Sequence, residues 1–394
     1  MKTTIHFAVY MLCACMLFSV GCKKTDQNVK MSQTAVPDCE PVKVFSTPIN
    51  ATYIVMLHDA GLQSGNTQTM GTTTNAVTTM LSRYSIPESQ QVARLNYIHS
   101  GFIARLTEDQ ALALKQDEAV DLVEQDRIIT MDQGCYEIVS PSTVQWGVRR
   151  TGSDDGTGKR VWIIDTGVDI DHPDLDVDTV LSKSFVSTET TVEDNNGHGT
   201  HVAGIIGALN NSFGVVGVAA GTKIIALKAL DGNGSGSTSQ IIMALNYVGQ
   251  NAKAGEVVNM SLGADTISAA LDNAVLTLAE KGILFAIAAG NDSKKADLSS
   301  PGRVNHPNVF TVSAIDSLGN FASFSNYGND VVDLAAPGVN IVSTYSKGRY
   351  ARLSGTSMAA PHVAGILVIE GTKIHTNGVA LNDPDGVPDP IASY

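Results

Sequence analysis

Between Ala51 and about Met131 short apolar runs alternate with polar segments of helical period. TYIVML, from Thr52, predicts a strand, and residues 75–84 predict a helix. LNYIHSGFIARL predicts two strands around Ser100 and Gly101. Residues 107–116 open with Thr107 at the cap position and an acidic first turn, as helices prefer. Residues 120–131 predict a last strand. The order strand, helix, strand, strand, helix, strand is that of a small α+β, ferredoxin-like domain of the split βαβ kind.

After Trp146 the pattern changes scale. RVWIID, KIIALKAL, VVNMSLG, ILFAIAAGN and NVFTVSAI are nearly continuous apolar runs. HGTHVAGIIGAL, SQIIMALNYVGQNA and ISAALDNAVLTLAEKG between them have helical period. Apolar strands alternating with helices imply a three-layer α/β fold, a mainly parallel sheet covered by helices on both faces. No repeat of fixed period and no second linker follow residue 150, so this part is one unit.

Ahead of both patterns, Lys2 precedes an apolar run from about Phe7 to Val20 that is too short to span a bilayer and reads as a signal peptide. Ser19-Val20-Gly21-Cys22 resembles a bacterial lipobox, with Cys22 as the lipidated residue and Cys15 as a competing site. Residues 22–50 are polar and unpatterned, and read as a tether. Domain boundaries are therefore expected at 1–21, 22–50, 51–134 and 135–394.

The whole chain has 394 residues, enough for one large and one small core, with 43% hydrophobic and 16% charged residues, which excludes a disordered or coiled-coil chain. A net charge of −13 without any basic run speaks against nucleic acid as a partner.

Three segments place a reactive side chain where open α/β sheets build their sites. In IIDTGVDIDHPDL, Asp165 ends an apolar strand, with Asp169, Asp171 and Asp174 in the loop beyond. In NNGHGTHVAG, His198 opens a helix between two glycines, and His201 is an equal rival for the role of base. In SGTSMAAPHVAG, Ser357 stands at a helix start, where its own N–H is left to bind an oxyanion. Each residue alone reads as a turn, packing or cap residue. Together, in the order Asp, His, Ser, they suggest nucleophilic catalysis.

Those three segments, within residues 144–368, resemble the subtilisin-like serine proteases, the proteinase K-like group above all. The resemblance assigns a catalytic triad to Asp165, His198 and Ser357, makes His201 structural, and gives Asn291 in FAIAAGND the role of oxyanion donor. It implies a serine endopeptidase acting on proteins through an acyl-enzyme, with no cofactor required for the chemistry. Gly234, Ser235 and Gly236, with Ser261, Leu262 and Gly263, match the family's two substrate-flanking segments, which pair with an extended peptide. Ala288, Ala289 and Gly290 would leave a roomy, apolar primary pocket. Pro307, Val309 and Asp316 match a calcium site of proteinase K-like relatives.

By the same resemblance residues 52–131 are an inhibitory pro-domain, a partner within the chain, and maturation is expected between about Met131 and Val144. The protein is then an exported, self-processing zymogen and a monomer, met by the membrane only through a lipid at Cys22. Cys39 and Cys135 remain as a disulfide pair. Relatives usually continue through further helix and strand after the Ser helix, whereas residues 372–394 here are rich in Pro and Asp, which leaves the late sheet strands open.

Overall fold

A computed structural model describes residues 41, 43–58, 67–131, 134–141 and 144–394. The signal peptide, the lipidation site Cys22 and the Cys39 half of the expected disulfide lie outside the described residues.

The small domain has the predicted order: β1 (Val44–Leu57), α1 (Thr67–Arg83), β2 (Gln91–Leu95), β3 (Gly101–Arg105), α2 (Glu108–Lys115) and β4 (Val120–Met131). Its strands lie in the order β4-β1-β3-β2. The Thr107 signal is a complete capping box, with Gln110 N–H donating to the Thr107 hydroxyl and the Gln110 side chain accepting from Thr107 N–H. Strand β1 begins before the expected tether ends. Residues 44–48 pair antiparallel with 127–131, and a bulge between Pro48 and Tyr53, where Ala51 takes φ 58°, re-aims the strand into the small domain.

The large domain opens with β5 (Glu137–Ile138) and α3 (Trp146–Thr151). It continues through β6 (Arg160–Asp165), β7 (Lys183–Ser184), α4 (His198–Gly207), β8 (Lys223–Lys228), β9 (Ser235–Ser237), α5 (Thr238–Asn251), β10 (Val257–Met260), α6 (Ala269–Glu280), β11 (Leu284–Ala288) and β12 (Val309–Ile315). It closes with β13 (Leu334–Pro337), β14 (Ile341–Tyr345), β15 (Arg349–Leu353), α7 (Thr356–Glu370), β16 (His375–Val379) and β17 (Pro390–Ser393). Nine strands form one sheet in the order β16-β17-β13-β12-β11-β10-β6-β8-β7. Its central pairings are parallel.

Strand β6 shows why the sheet needs two covers. Val161 and Ile163 join the core under α4 and α7, while Trp162 and Ile164 join the core under α5 and α6. Helix α7 is buried on every side from Thr356 to Val368, as a helix that is apolar all round must be. The chain leaves β6 for β8 on one side and returns to β10 on the other, which opens a crevice at the carboxyl ends of these strands.

The small domain packs one sheet face on its own helices and the other on the α5–α6 layer. Ile54, Met56, Leu95, Ile98, Ile103, Ile129 and Met131 are part of the same apolar cluster as the large domain's Ile241, Leu245 and Leu271. Two carboxylates of β4 reach helix N-termini across this contact. Asp126 accepts from Ser239 N–H (3.0 Å) and its hydroxyl (2.6 Å) at α5. Glu124 accepts from Ala270 N–H (3.0 Å) and from the Ser268 hydroxyl at α6. Negative charge at a helix N-terminus is stabilised by unpaired N–H groups and the helix dipole.

The question left open for the C-terminal stretch is answered by two strands. Residues 375–379 and 390–393 supply the outermost strands, and Ile391, opposite Ala335, closes a small cluster with Ile315 and Ala380. Asp389, 1% exposed, accepts a bond of 2.6 Å from the Ser313 hydroxyl. Burial pushes its carboxyl up to about 7. The folded chain then holds this proton more tightly than the unfolded one, so stability is present at low pH and is lost as pH rises from about 4 to about 7. Asp389→Asn is expected to leave thermal unfolding at pH 4 nearly unchanged and to stabilise the protein at pH 8 by about 2 kcal/mol, an order-of-magnitude figure. Melting curves at the two pH values check this.

Candidate active site

Asp165 is the last residue of β6 and fully buried. His198 is the first residue of α4, and its Nδ1 lies 2.8 Å and 3.0 Å from the two Asp165 carboxylate oxygens. The approach is set by glycine. A Cβ on Gly199 would lie 2.1 Å from Gly167 O, and one on Gly197, where φ is 111°, would lie 2.3 Å from Tyr345 Cζ.

A second carboxylate, Asp194, organises the turn into α4. It accepts from Asn196 N–H, Gly197 N–H, Thr200 N–H and the hydroxyls of Thr166 and Thr200, at 2.6–3.0 Å. Burial alone would lower the His198 imidazole, but the charge and hydrogen bond of Asp165, with the charge of Asp194, outweigh it and hold His198 above its ordinary value. Beside them Lys228, fully buried and paired across the ladder with Asp165, donates to Thr166 O (2.5 Å) and meets Glu189 at 3.0 Å.

The tie between the two histidines is broken by geometry. His201 places Nε2 3.1 Å from both Ile341 O and Ala351 O, and burial pushes it down to about 3. It is a neutral donor that pins α4 to β14 and β15. His198 Nε2, by contrast, has no hydrogen-bond partner among the described residues. Asp169 and Asp174 are occupied in loops, accepting from Gly348 N–H and from Val215 N–H.

Ser357 lies in the first turn of α7, after Gly355 at the cap. A Cβ on Gly355 would lie 3.4 Å from Asn291 Nδ2 and 3.6 Å from Ser357 N, so both donors flank one space. Asn291 is oriented by Thr356, whose N–H and hydroxyl donate to Oδ1 at 2.8 Å and 2.9 Å.

Pro361 lies in the second turn of α7. With no N–H, it leaves the Ser357 carbonyl without a helical partner. The Ser261 hydroxyl donates to that carbonyl at 2.8 Å, and the Ser357 hydroxyl donates to Ser261 O at 3.1 Å. Asn259 fixes the Ser261 hydroxyl from behind at 2.9 Å.

Ser261, Leu262 and Gly263 share one pocket with Ala288, Ala289, Gly290, Asn291 and Ser357, and Val44 of β1 also lines it. Gly234, Ser235 and Gly236 are not part of that lining and lie at β9, the strand that receives β4. β9 pairs antiparallel with β4 at Ser235↔Thr130 and Gly236↔Ile129, and Met131 N–H donates to Gly234 O at 2.9 Å.

The expected calcium ligands do not come together. Pro307 and Val309 stand at the start of β12 and Asp316 just past its end, roughly 20 Å apart at about 3.3 Å per residue. Calcium ligands must converge within about 2.6 Å of one ion. The Asp316 carboxylate instead accepts from Leu318 N–H, Asn320 N–H and the Asn320 amide in a turn. Among the described residues no group of three or more His, Cys, Asp or Glu side chains is arranged to hold a metal.

A buried Asp–His pair, a helix-start serine and a strand that pairs with the chain's own extended β4 mark a hydrolase of the subtilisin type. Residues 156–370 match the Subtilase family and residues 52–132 the peptidase inhibitor I9 family. The chain is 39% identical over 293 residues to the thermostable alkaline protease of Halalkalibacterium halodurans, covering 73% of this chain and 75% of that one. It is 45% identical over 238 residues to subtilisin Savinase of Lederbergia lenta, covering 59% and 85%. A solved cold-adapted subtilisin-like serine proteinase is 35% identical with a TM-score of 0.56, covering 64% of this chain and 98% of that one. The chain belongs to the Subtilase family, as a subtilisin-like serine protease made with an I9 pro-domain that acts as its own inhibitor.

Ser261→Ala removes the donor to the Ser357 carbonyl. It is expected to destabilise the protein by about 1–3 kcal/mol and to lower turnover, while Ser261→Thr retains both. Thermal unfolding and peptide hydrolysis of the two variants check this.

Proposed function

We propose that this chain is an exported serine endopeptidase in which Asp165, His198 and Ser357 form the catalytic triad and Asn291 shares the oxyanion site. The reading is carried by one observation: the His198 imidazole, bonded at 2.8 Å to a buried Asp165, keeps Nε2 without a partner among the described residues, on the helix that packs against the helix Ser357 opens.

The Ser357 hydroxyl turns from Ser261 O to His198 Nε2, gives up its proton there and adds to the peptide carbonyl. Asp165 holds the Nδ1–H tautomer and balances the imidazolium. Ser357 N–H and Asn291 Nδ2 donate to the oxyanion, which forms in the space that Gly355 leaves clear. Collapse expels the amine, protonated by Nε2, and water then hydrolyses the acyl-enzyme by the same steps in reverse. Substrate adds as a strand to Gly234, Ser235 and Gly236, with Ser261, Leu262 and Gly263 opposite, so recognition is mainly of backbone. Small residues at Ala288, Ala289 and Gly290 favour larger uncharged side chains before the cut.

Residues 1–21 serve export, Cys22 carries a lipid, and the enzyme works as a monomer of the proteinase K-like group. No calcium is assigned to Pro307, Val309 and Asp316.

Wild type is expected to process itself and, once its pro-domain is released, to digest casein, while Ser357→Ala stays full length. Equal processing by both would overturn the assignment. In the processed enzyme Asn291→Ala is expected to lower turnover by about 100- to 1,000-fold, with little change in KM.

A further inference from the structure

Self-cleavage by this site, which the inference takes from the preceding reading, need not free the enzyme from its inhibitor. We propose that the pro-domain stays covalently tied to the protease after the cut, through the disulfide of Cys135.

Cys135 is disulfide-bonded. The chain has five cysteines, at 13, 15, 22, 39 and 135. Every partner available within the chain therefore lies upstream of β1, on the far side of the whole pro-domain. The tie does not depend on which of the four it is, although Cys39 is the nearest in sequence.

The path of the chain sets where the cut falls. Up to Met131 the chain lies along β9, with Met131 N–H on Gly234 O. Val44, opposite Met131 in the ladder, lines the pocket that holds Ser357 and Asn291. At Tyr136 the chain is already on the other side. The Tyr136 ring stacks on Tyr345 at 5.0 Å, and the Tyr345 hydroxyl donates to Asn196 O, two residues before His198. Glu137 and Ile138 then pair with Arg352 and Ala351 of β15. Ladders grip the chain up to Met131 and again from Glu137, so the cut belongs to the span between them, and the tie requires that it fall before Cys135.

That step is hydrolysis of one peptide bond, with water supplying the hydroxyl of the new carboxylate and a proton of the new amine. The disulfide is untouched. The cut ends are then joined through Cys135, and the inhibitor remains at an effective concentration of order millimolar. It keeps its hold through Asp126 and Glu124 on the starts of α5 and α6. Release needs a dithiol reductant, which is oxidised to its own disulfide as the two cysteines become thiols. The protease is therefore latent after processing and is switched on by thiol exchange or by destruction of the pro-domain.

The test uses full-length wild type and Cys135→Ser, with free thiols alkylated, on denaturing gels with and without dithiothreitol. Wild type is expected to give two fragments with reductant and one band of uncut mass without it. Cys135→Ser is expected to give two fragments in both lanes. Dithiothreitol is expected to raise wild-type hydrolysis of a small peptide at least 10-fold and to leave Cys135→Ser unchanged. Two wild-type fragments without reductant, a band of twice the mass, or a catalytic fragment beginning at Tyr136 or later would overturn the proposal. An uncut wild type in both lanes would instead overturn self-processing itself, and the tie with it.

Discussion

The structure turns on one buried contact, the Asp165 carboxylate against His198 Nδ1. A charge placed at the end of a central strand, with no water to solvate it, is tolerated only where donors converge on it. The surrounding features serve that demand. Thr166 N–H donates to Asp165 at 2.7 Å, and α4 comes close because residues 197 and 199 have no side chain. Asp194 pins the turn that delivers His198, and the buried Lys228, neutralised by Glu189, ties the loop after β6 to β8. Two buried carboxylates around one imidazole then raise its affinity for a proton.

The inhibitor exploits the same architecture from outside. Strands β6 and β10 end in the crevice, and β4 adds to β9 as a further antiparallel strand. Backbone pairing alone is undiscriminating, so the pro-domain adds what a transient substrate lacks. It brings an apolar face continuous with the α5–α6 layer and two carboxylates on helix starts. The N-terminal half of β1 covers the other edge of β4, and Val44 reaches into the pocket.

Much of this was legible in the sequence because it is local. Apolar runs ending in Asp165, a glycine-flanked His198 and Ser357 opening an apolar helix carry their geometry in a few residues, and the Thr107 capping box needs only four. What escaped depends on distant partners. His198 and His201 share one helix and are tied on their residues alone; the resemblance makes the second structural, and the carbonyls of Ile341 and Ala351, some 140–150 residues away, supply the physical reason. Asp194 reads as a loop acid and Lys228 as a strand end until burial shows their partners. Pro361 gave no sign that Ser261 would stand in for its missing N–H. Residues 307, 309 and 316 look close in sequence, but a strand separates them. The polar, proline-rich C-terminus lacks the periodicity of a strand, yet two short pieces of it close the sheet edge.

Because the claim is that buried carboxylates hold the imidazole proton, the acid limb of kcat/KM in the processed wild-type enzyme tests it most directly. That limb reports His198 in the free enzyme, which must be neutral to accept the serine proton. The limb is expected to centre above the ordinary histidine value of 6.5 and to move to lower pH in Asp194→Asn, as one of the two charges is removed. A limb at or below 6.5 that Asp194→Asn leaves in place would contradict it.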